Sequence, residues 1–289
     1  MAITIKNEHL CLTFSAKGAE LQSIKGVDSG TEYLWSGNPA YWGKFSPVLF
    51  PIIGALKNNQ YLFEGKTYAL PRHGFARDLE FEYDQISSTE VLFTLESDSE
   101  TLKNYPFQFK LCLRYQLIQA EICCTYEVRN PSKKDLFFSI GGHPAFAAPL
   151  NNEGIYTDYY LQFDKDEEVS YHHIVDNLIS DQTSTLKLEE GKLFLKHELF
   201  YEDALVFKNL KSDKISLLNT KNYNGLDFHF KGFPYFGIWA AKDADFVCLE
   251  PWCGIADGLN HHQQLVDKEG MIKLAATEKW ERKWSVTLF

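Results

Sequence analysis

Apolar and polar side chains alternate along much of this chain of 289 residues. In Gln108–Leu117 the odd positions Phe109, Leu111, Leu113, Tyr115 and Leu117 are apolar and the even ones mostly polar, the period of a half-buried strand. From Glu121 to Asn130 the parity inverts, with Ile122, Cys124, Tyr126 and Val128 apolar. The short Ile118-Gln-Ala120 connection between the two runs predicts a long antiparallel hairpin. Similar pairs are expected at Leu79–Ser87 with Glu90–Ser97, at Ile3–Asn7 with Leu10–Ser15, and at Phe236–Ala241 with Asp245–Leu249. A closing strand is legible at Trp280–Phe289, so truncation at that end is expected to be damaging. Helical periodicity is limited to a turn at Glu100–Tyr105, ahead of Pro106, and another near Glu198–Glu202. Asn151–Asp181 is polar, acidic and the least regular stretch, expected as strands with long loops. Strands of roughly 8–12 residues with no α/β alternation and no fixed-period repeat predict one all-β sandwich or barrel domain over residues 1–289.

Composition sharpens this reading. The 22 Phe, 15 Tyr and 6 Trp against 2 Met favour strands and supply a large aromatic core. A net charge of −10, with no Lys/Arg cluster, argues against a nucleic-acid or anionic-membrane surface. The first residues lack a leader pattern and no run approaches the ~18 apolar residues of a membrane span, so a soluble cytoplasmic protein is expected. Six cysteines without a C-x-x-C pair read as reduced thiols, with Cys112 and Cys124 serving as small hydrophobes in strands.

Three segments carry candidate chemistry. They are Leu70-Pro-Arg-His-Gly-Phe-Ala-Arg-Asp78, Ser139-Ile-Gly-Gly-His-Pro-Ala-Phe146 and Cys248-Leu-Glu-Pro-Trp-Cys-Gly-Ile-Ala-Asp257. Two histidines and a carboxylate make a proton-transfer set of the kind that opens and closes a hemiacetal, because imidazole titrates near neutrality and a buried Glu can be tuned as its opposite number. His73 sits in a tight turn where Gly74 would let a ligand approach, among Arg72, Arg77 and Asp78; the competing reading is a surface-loop histidine. His143 follows Gly141-Gly142 at a strand-to-loop transition, or is a core histidine bonded to a carbonyl. Glu250 ends an apolar strand and is locked by Pro251, a costly place for a carboxylate unless it is paired or used. Its competing reading is a salt bridge to Arg72 or Arg77. Trp239 and Trp252 offer flat faces suited to a sugar ring, or belong to the core.

The doublets His172-His173 and His261-His262 lack companion ligands and read as solvated loop residues. A metal site from His73, His143 and Glu250 has suitable ligand types but leaves the proton chemistry unexplained, so neither metal nor organic cofactor is expected.

With these residues in hand the chain resembles the aldose 1-epimerase (galactose mutarotase) family, in its lactose-operon protein X-like branch. The likeness is carried by Pro47-Val-Leu-Phe-Pro-Ile-Ile-Gly54, Arg72-His-Gly-Phe-Ala-Arg77, Gly142-His-Pro-Ala-Phe146, Asp203-Ala-Leu-Val-Phe207, and Gly237-Ile-Trp-Ala240 with Glu250-Pro-Trp252. It implies an antiparallel β-supersandwich and a small-molecule sugar substrate. It also implies roles: Glu250 as general base, His143 as general acid, His73 orienting the ring, Asp203 gripping hydroxyls, and Arg77 beside ligand or Glu250. Relatives usually carry an Arg directly after the Pro-Ile-Ile-Gly turn, where this chain has Ala55; Lys44, Lys57 and Arg72 are the candidates to replace it. A hexose-6-phosphate 1-epimerase, favoured by Arg72 and Arg77, and a sugar-binding sensor without turnover, motivated by Ala55, are the alternatives. Monomer and homodimer both fit.

Overall fold

The computed structural model describes residues 3–289, and its regular structure is almost entirely antiparallel strand. Two large sheets dominate. One has nine strands, in the order Lys192–Phe194, Tyr159–Phe163, Lys214–Asn219, Leu226–His229, Lys279–Leu288, Glu121–Arg129, Lys110–Ile118, Glu90–Glu96 and Glu82–Ser87. The other runs Leu178–Lys187, Glu168–Val175, Leu205–Phe207, Tyr235–Trp239, Phe246–Cys253, Ile140–Gly142 and Val48–Leu49, with Ala145–Ala147 also paired to Phe246–Cys253. A three-stranded sheet within residues 3–26, the hairpin Gln60–Phe63 with Lys66–Ala69, and the pair Leu136–Phe138 with Ile272–Leu274 complete the set among the described residues.

Parity explains the layering. Ile118 faces Glu121 in register, so only Gln119 and Ala120 form the hairpin turn, and Leu111, Leu113, Tyr115 and Leu117 lie buried opposite Val128, Tyr126, Cys124 and Ile122. Their inward faces meet the second sheet through aromatic contacts such as Phe146 with Phe228 (5.9 Å) and Phe228 with Phe236 (6.1 Å). Trp284 and Tyr126, both buried, satisfy each other, the indole N–H donating to the phenol oxygen at 2.7 Å. The C-terminal strand pairs on both sides, with Glu121–Arg129 and with Leu226–His229. Cutting it away would split the nine-stranded sheet through its middle.

Several boundaries differ from the sequence reading. Strand begins at Glu82 rather than Leu79, because Ala76–Asp78 forms a 3₁₀ turn, and all of Glu82–Ser87 is exposed at a sheet edge. The expected turns are present as a short α-helix at Thr101–Asn104 and a 3₁₀ turn at His197–Phe200. Asn151–Asp181 is more regular than expected, since Glu168–Val175 and Leu178–Lys187 form an extended hairpin. All six cysteines are free thiols, five of them buried. No helix among the described residues is long and apolar enough to cross a membrane.

Candidate active site

The eight-stranded sheet carries a cleft of about 460 Å3 on the side away from the nine-stranded sheet, and every candidate site residue of the sequence reading lines it. Phe246–Cys253 supplies Glu250 and Trp252, Tyr235–Trp239 supplies Trp239, and the turn after Ile140–Gly142 supplies His143. The loop following Lys66–Ala69 brings Arg72, His73 and Arg77, and Asp203 enters just before Leu205–Phe207.

Glu250 does not end its strand. It lies within Phe246–Cys253, opposite Gly237, and Pro251 continues the strand opposite Phe236. A proline is tolerated there because its missing N–H falls on the side of Leu249, whose N–H reaches Pro144, in the break between Ile140–Gly142 and Ala145–Ala147. No ladder bond is lost.

Glu250 and His143 form the floor. His143 Nε2 stands 3.3 Å from Glu250 Oε2, with the two side chains 10% and 2% exposed. Glu250 Oε2 and His143 Nδ1 make no hydrogen bond, and no arginine lies within ion-pair distance of Glu250. The salt-bridge and carbonyl-bonded readings of these two residues therefore do not describe this geometry. Trp42 stacks on the His143 ring at 4.9 Å and Trp239 meets it edge-on at 5.6 Å, fixing its plane. Burial, opposed by Arg72 and aided by Asp203, holds the Glu250 carboxyl well above the usual carboxylate range. Burial, with the arginines beside it, pushes His143 down to about 3. Both groups thus favour their neutral forms.

His73 is buried, not a surface residue, and holds a left-handed backbone (φ 69°). Its N–H donates to the Gly54 carbonyl at 2.9 Å while Gly54 N–H donates to its Nδ1 at 3.1 Å. Arg72 Nε approaches Nε2 at 3.2 Å. Both ring nitrogens face donors, and a cationic ring could accept from neither. Burial, then His143, Arg72 and Arg77, accordingly push its pKa well below the ordinary value. Gly74 has a role other than ligand access: a Cβ there would stand 2.3 Å from the Phe50 carbonyl oxygen, so the residue is glycine for backbone packing and does not line the cleft.

Arg72 spans the rim. It donates to Asn177 Oδ1 at 3.0 Å and lies 3.8 Å from Asp203, while Arg77 donates to the Arg72 carbonyl at 2.8 Å. Of the three cations considered in place of the arginine absent at Ala55, only Arg72 reaches the cleft. Lys44 pairs with Asp78, and Lys57 donates to the Leu259 carbonyl. Behind the wall, Asp257 receives the buried Lys268 ammonium at 2.8 Å and Lys57 N–H at 2.9 Å. Its own N–H donates to Ala55 and its carbonyl accepts from Ile179, so one buried pair braces both sides of the cleft.

Sequence reasoning missed Trp42, which holds His143, and the hairpin residues Ile174, Asn177 and Ile179, which wall the cleft. The first histidine doublet is corrected too. His172 and His173 sit half-buried on a strand, His172 Nδ1 near the Ser180 carbonyl and His173 Nε2 near Ser184 Oγ, because that hairpin folds over the cleft. His261 and His262 do lie in a loop, His262 exposed beside Asp267 and His261 partly buried 3.2 Å from Asp257. Gly141 and Gly142 are required by space rather than flexibility: a Cβ on Gly141 would strike Trp252 at 2.7 Å and one on Gly142 would strike Tyr126 at 2.6 Å, on opposite faces. Gly237 makes the other half of the Trp252 notch, with 2.5 Å to the indole. Gly237→Ala is expected to cost about 1–3 kcal/mol by overpacking and to tip the indole toward the cleft, which chemical denaturation and tryptophan fluorescence would register.

An antiparallel β-supersandwich whose open sheet face holds a buried histidine–glutamate pair between tryptophans defines the class of protein. The chain belongs to the aldose 1-epimerase family, whose model matches residues 1–287. The chromosomal LacX protein of Lactococcus lactis subsp. lactis is 34% identical over the whole chain and 99% of its own length. The galactose mutarotase related enzyme of Lactobacillus acidophilus superposes with a TM-score of 0.95 at 33% identity, covering 100% of this chain and 97% of its own. A galactose mutarotase-like protein of Lactobacillus casei gives 0.91 at 29% identity with both chains fully covered.

Proposed function

We propose that this protein interconverts the α and β anomers of a hexose by acid–base ring opening, with Glu250 as base and His143 as acid. One observation carries the reading: a buried, unpartnered carboxyl oxygen 3.3 Å from an imidazole nitrogen on the floor of an aromatic-walled polar cleft. Desolvated polar groups without partners are costly in a fold and useful in a site, where ligand hydroxyls satisfy them.

The pair shares one proton. In the state that attacks, Glu250 is carboxylate and His143 imidazolium. Glu250 takes the proton of the C1 hydroxyl, His143 gives its proton to the ring oxygen, the C1–O bond to the ring breaks and the aldehyde forms. The pair then stands as carboxylic acid and neutral imidazole, which is the form its burial favours, still holding one proton. Rotation about C1–C2 and the reverse transfers close the other anomer. No net proton, electron or group leaves the sugar. Asp203 holds hydroxyls, His73 positions Arg72 through its Nε2, Arg77 and Arg72 bound the polar side, and Trp239 and Trp252 cover the apolar face of the ring.

Arg72 and Arg77 in the same cleft favour one second reading, a hexose 6-phosphate as substrate. The Arg72 contact with Asp203 opposes it. Polarimetry or saturation-transfer NMR on freshly dissolved α-glucose, α-galactose and their 6-phosphates separates the two. Acceleration of a free sugar is the expected result; acceleration confined to the phosphates selects the second reading. Binding without acceleration of any of them would leave a sugar sensor.

A further inference from the structure

We propose that His143, Cys248 and Glu250 form a binding site for a borderline-soft divalent cation, zinc above all, that occupies the floor of the cleft in competition with the sugar. The binding claim stands on geometry alone; its inhibitory consequence rests on the acid–base reading above.

One ligand atom from each residue, an imidazole nitrogen, a thiol sulfur and a carboxyl oxygen, lies within 4.8 Å of the other two, and all three residues are buried. The strand dictates this. Cys248 and Glu250 are two residues apart on Phe246–Cys253 and so project from the same face, and Cys248 stands opposite both Trp239 and Ala145, next to the turn that carries His143. Tetrahedral zinc with bonds of about 2.0–2.3 Å sets its ligands about 3.3–3.7 Å apart. His143 Nε2 and Glu250 Oε2 already stand at 3.3 Å, within the 4.8 Å that bounds the three ligand atoms. Glu250 Oε2 has no hydrogen bond to lose. His143 and Glu250 face the cleft, which leaves the fourth position of a three-ligand site open to water.

A nitrogen, sulfur and oxygen donor set selects zinc, cobalt and their neighbours over magnesium or calcium, which want oxygen alone. Burial raises the Cys248 thiol well above its ordinary value, so the free protein holds it protonated, and the ion itself must displace that proton. The step balances as three bonds formed, to nitrogen, sulfur and oxygen, with the water ligands they displace from the hydrated ion, the thiol proton and the carboxyl proton released to solvent, and no change in oxidation state. The sugar and the ion need the same Glu250 and His143 atoms and exclude each other.

Cobalt(II) titration of the purified protein reads the site directly. Wild type is expected to show a thiolate-to-cobalt charge-transfer band that Cys248→Ala lacks, and zinc affinity by calorimetry is expected to fall by more than the ~10–100-fold that a supporting residue costs. Cys248→Ser, which keeps the side-chain size, should lose the band as well and guards against a variant that fails to fold. Zinc should slow wild-type anomerisation, chelator should restore it, and Cys248→Ala should be resistant. Absence of the band in wild type, or a band and zinc affinity unchanged in either folded Cys248 variant, would overturn the proposal. A Cys248-dependent band in a protein that anomerises no sugar upholds the metal site while removing the acid–base reading.

Discussion

Glu250→Gln is expected to slow anomerisation by about 10²–10⁴-fold and, above the ordinary carboxylate range, to raise the melting temperature. The two effects have one cause. Burial raises the Glu250 pKa in the folded protein, so the carboxylate costs the fold more than it costs the unfolded chain. A raised folded pKa means that stability is fully present below the unfolded value and is lost as pH rises toward the folded one. Glutamine keeps the shape and does not titrate, so its advantage should be small at pH 5 and widen toward pH 8. Each kcal/mol so recovered is worth about 2–4 °C in a chain of this order of size. Polarimetry beside thermal melts at the two pH values checks both halves. A variant that is slow but melts lower at every pH would make Glu250 a structural residue. One that turns over normally would remove it from the chemistry.

This opposition between stability and use is what made parts of the site legible in the sequence. Glu250 stood out because an apolar run such as Phe246–Leu249 should not lead into an unpaired acid, and the structure leaves its Oε2 without a hydrogen bond. The hairpin Lys110–Ile118 with Glu121–Arg129 was legible because each strand buries one face only, so parity survives in the residues. The cleft walls carry no such record. Trp42 lies outside any regular element, and its contact with His143 is made by tertiary folding alone. Asn177 sits with Asp176 at a left-handed hairpin tip, between strands whose buried and exposed residues come in runs rather than in alternation, where neither period shows. Glycines carry a second kind of information: Gly74 does take the left-handed backbone (φ 70°) of the expected turn, whereas at Gly141 what decides the residue is an atom of another segment less than 3 Å from a would-be Cβ.

Stability is expected to fall steeply as the pH drops below about 6.5, before the chemistry itself fails. His73 and His143 are both buried and both held neutral in the fold, His143 with its pKa pushed down to about 3. In the unfolded chain each would take a proton near the ordinary imidazole value of ~6.5. A depressed folded pKa places the stability above the unfolded value and removes it as pH falls toward the folded one. With two such groups the loss reaches about 2.7 kcal/mol per pH unit. On the alkaline side the shared-proton mechanism sets the opposite limit. Once pH passes the raised Glu250 value the pair loses its single proton, His143 has none to give, and kcat/KM should fall about tenfold per pH unit. The profile is therefore a plateau bounded by unfolding below and by deprotonation of the pair above, and only the alkaline limb should be reversible within the folded protein. Melting curves and anomerisation rates over the same pH series test this. A rate that instead climbs with pH through the raised carboxyl range would mean that Glu250 works alone as a base, and that the imidazole 3.3 Å away is not its acid.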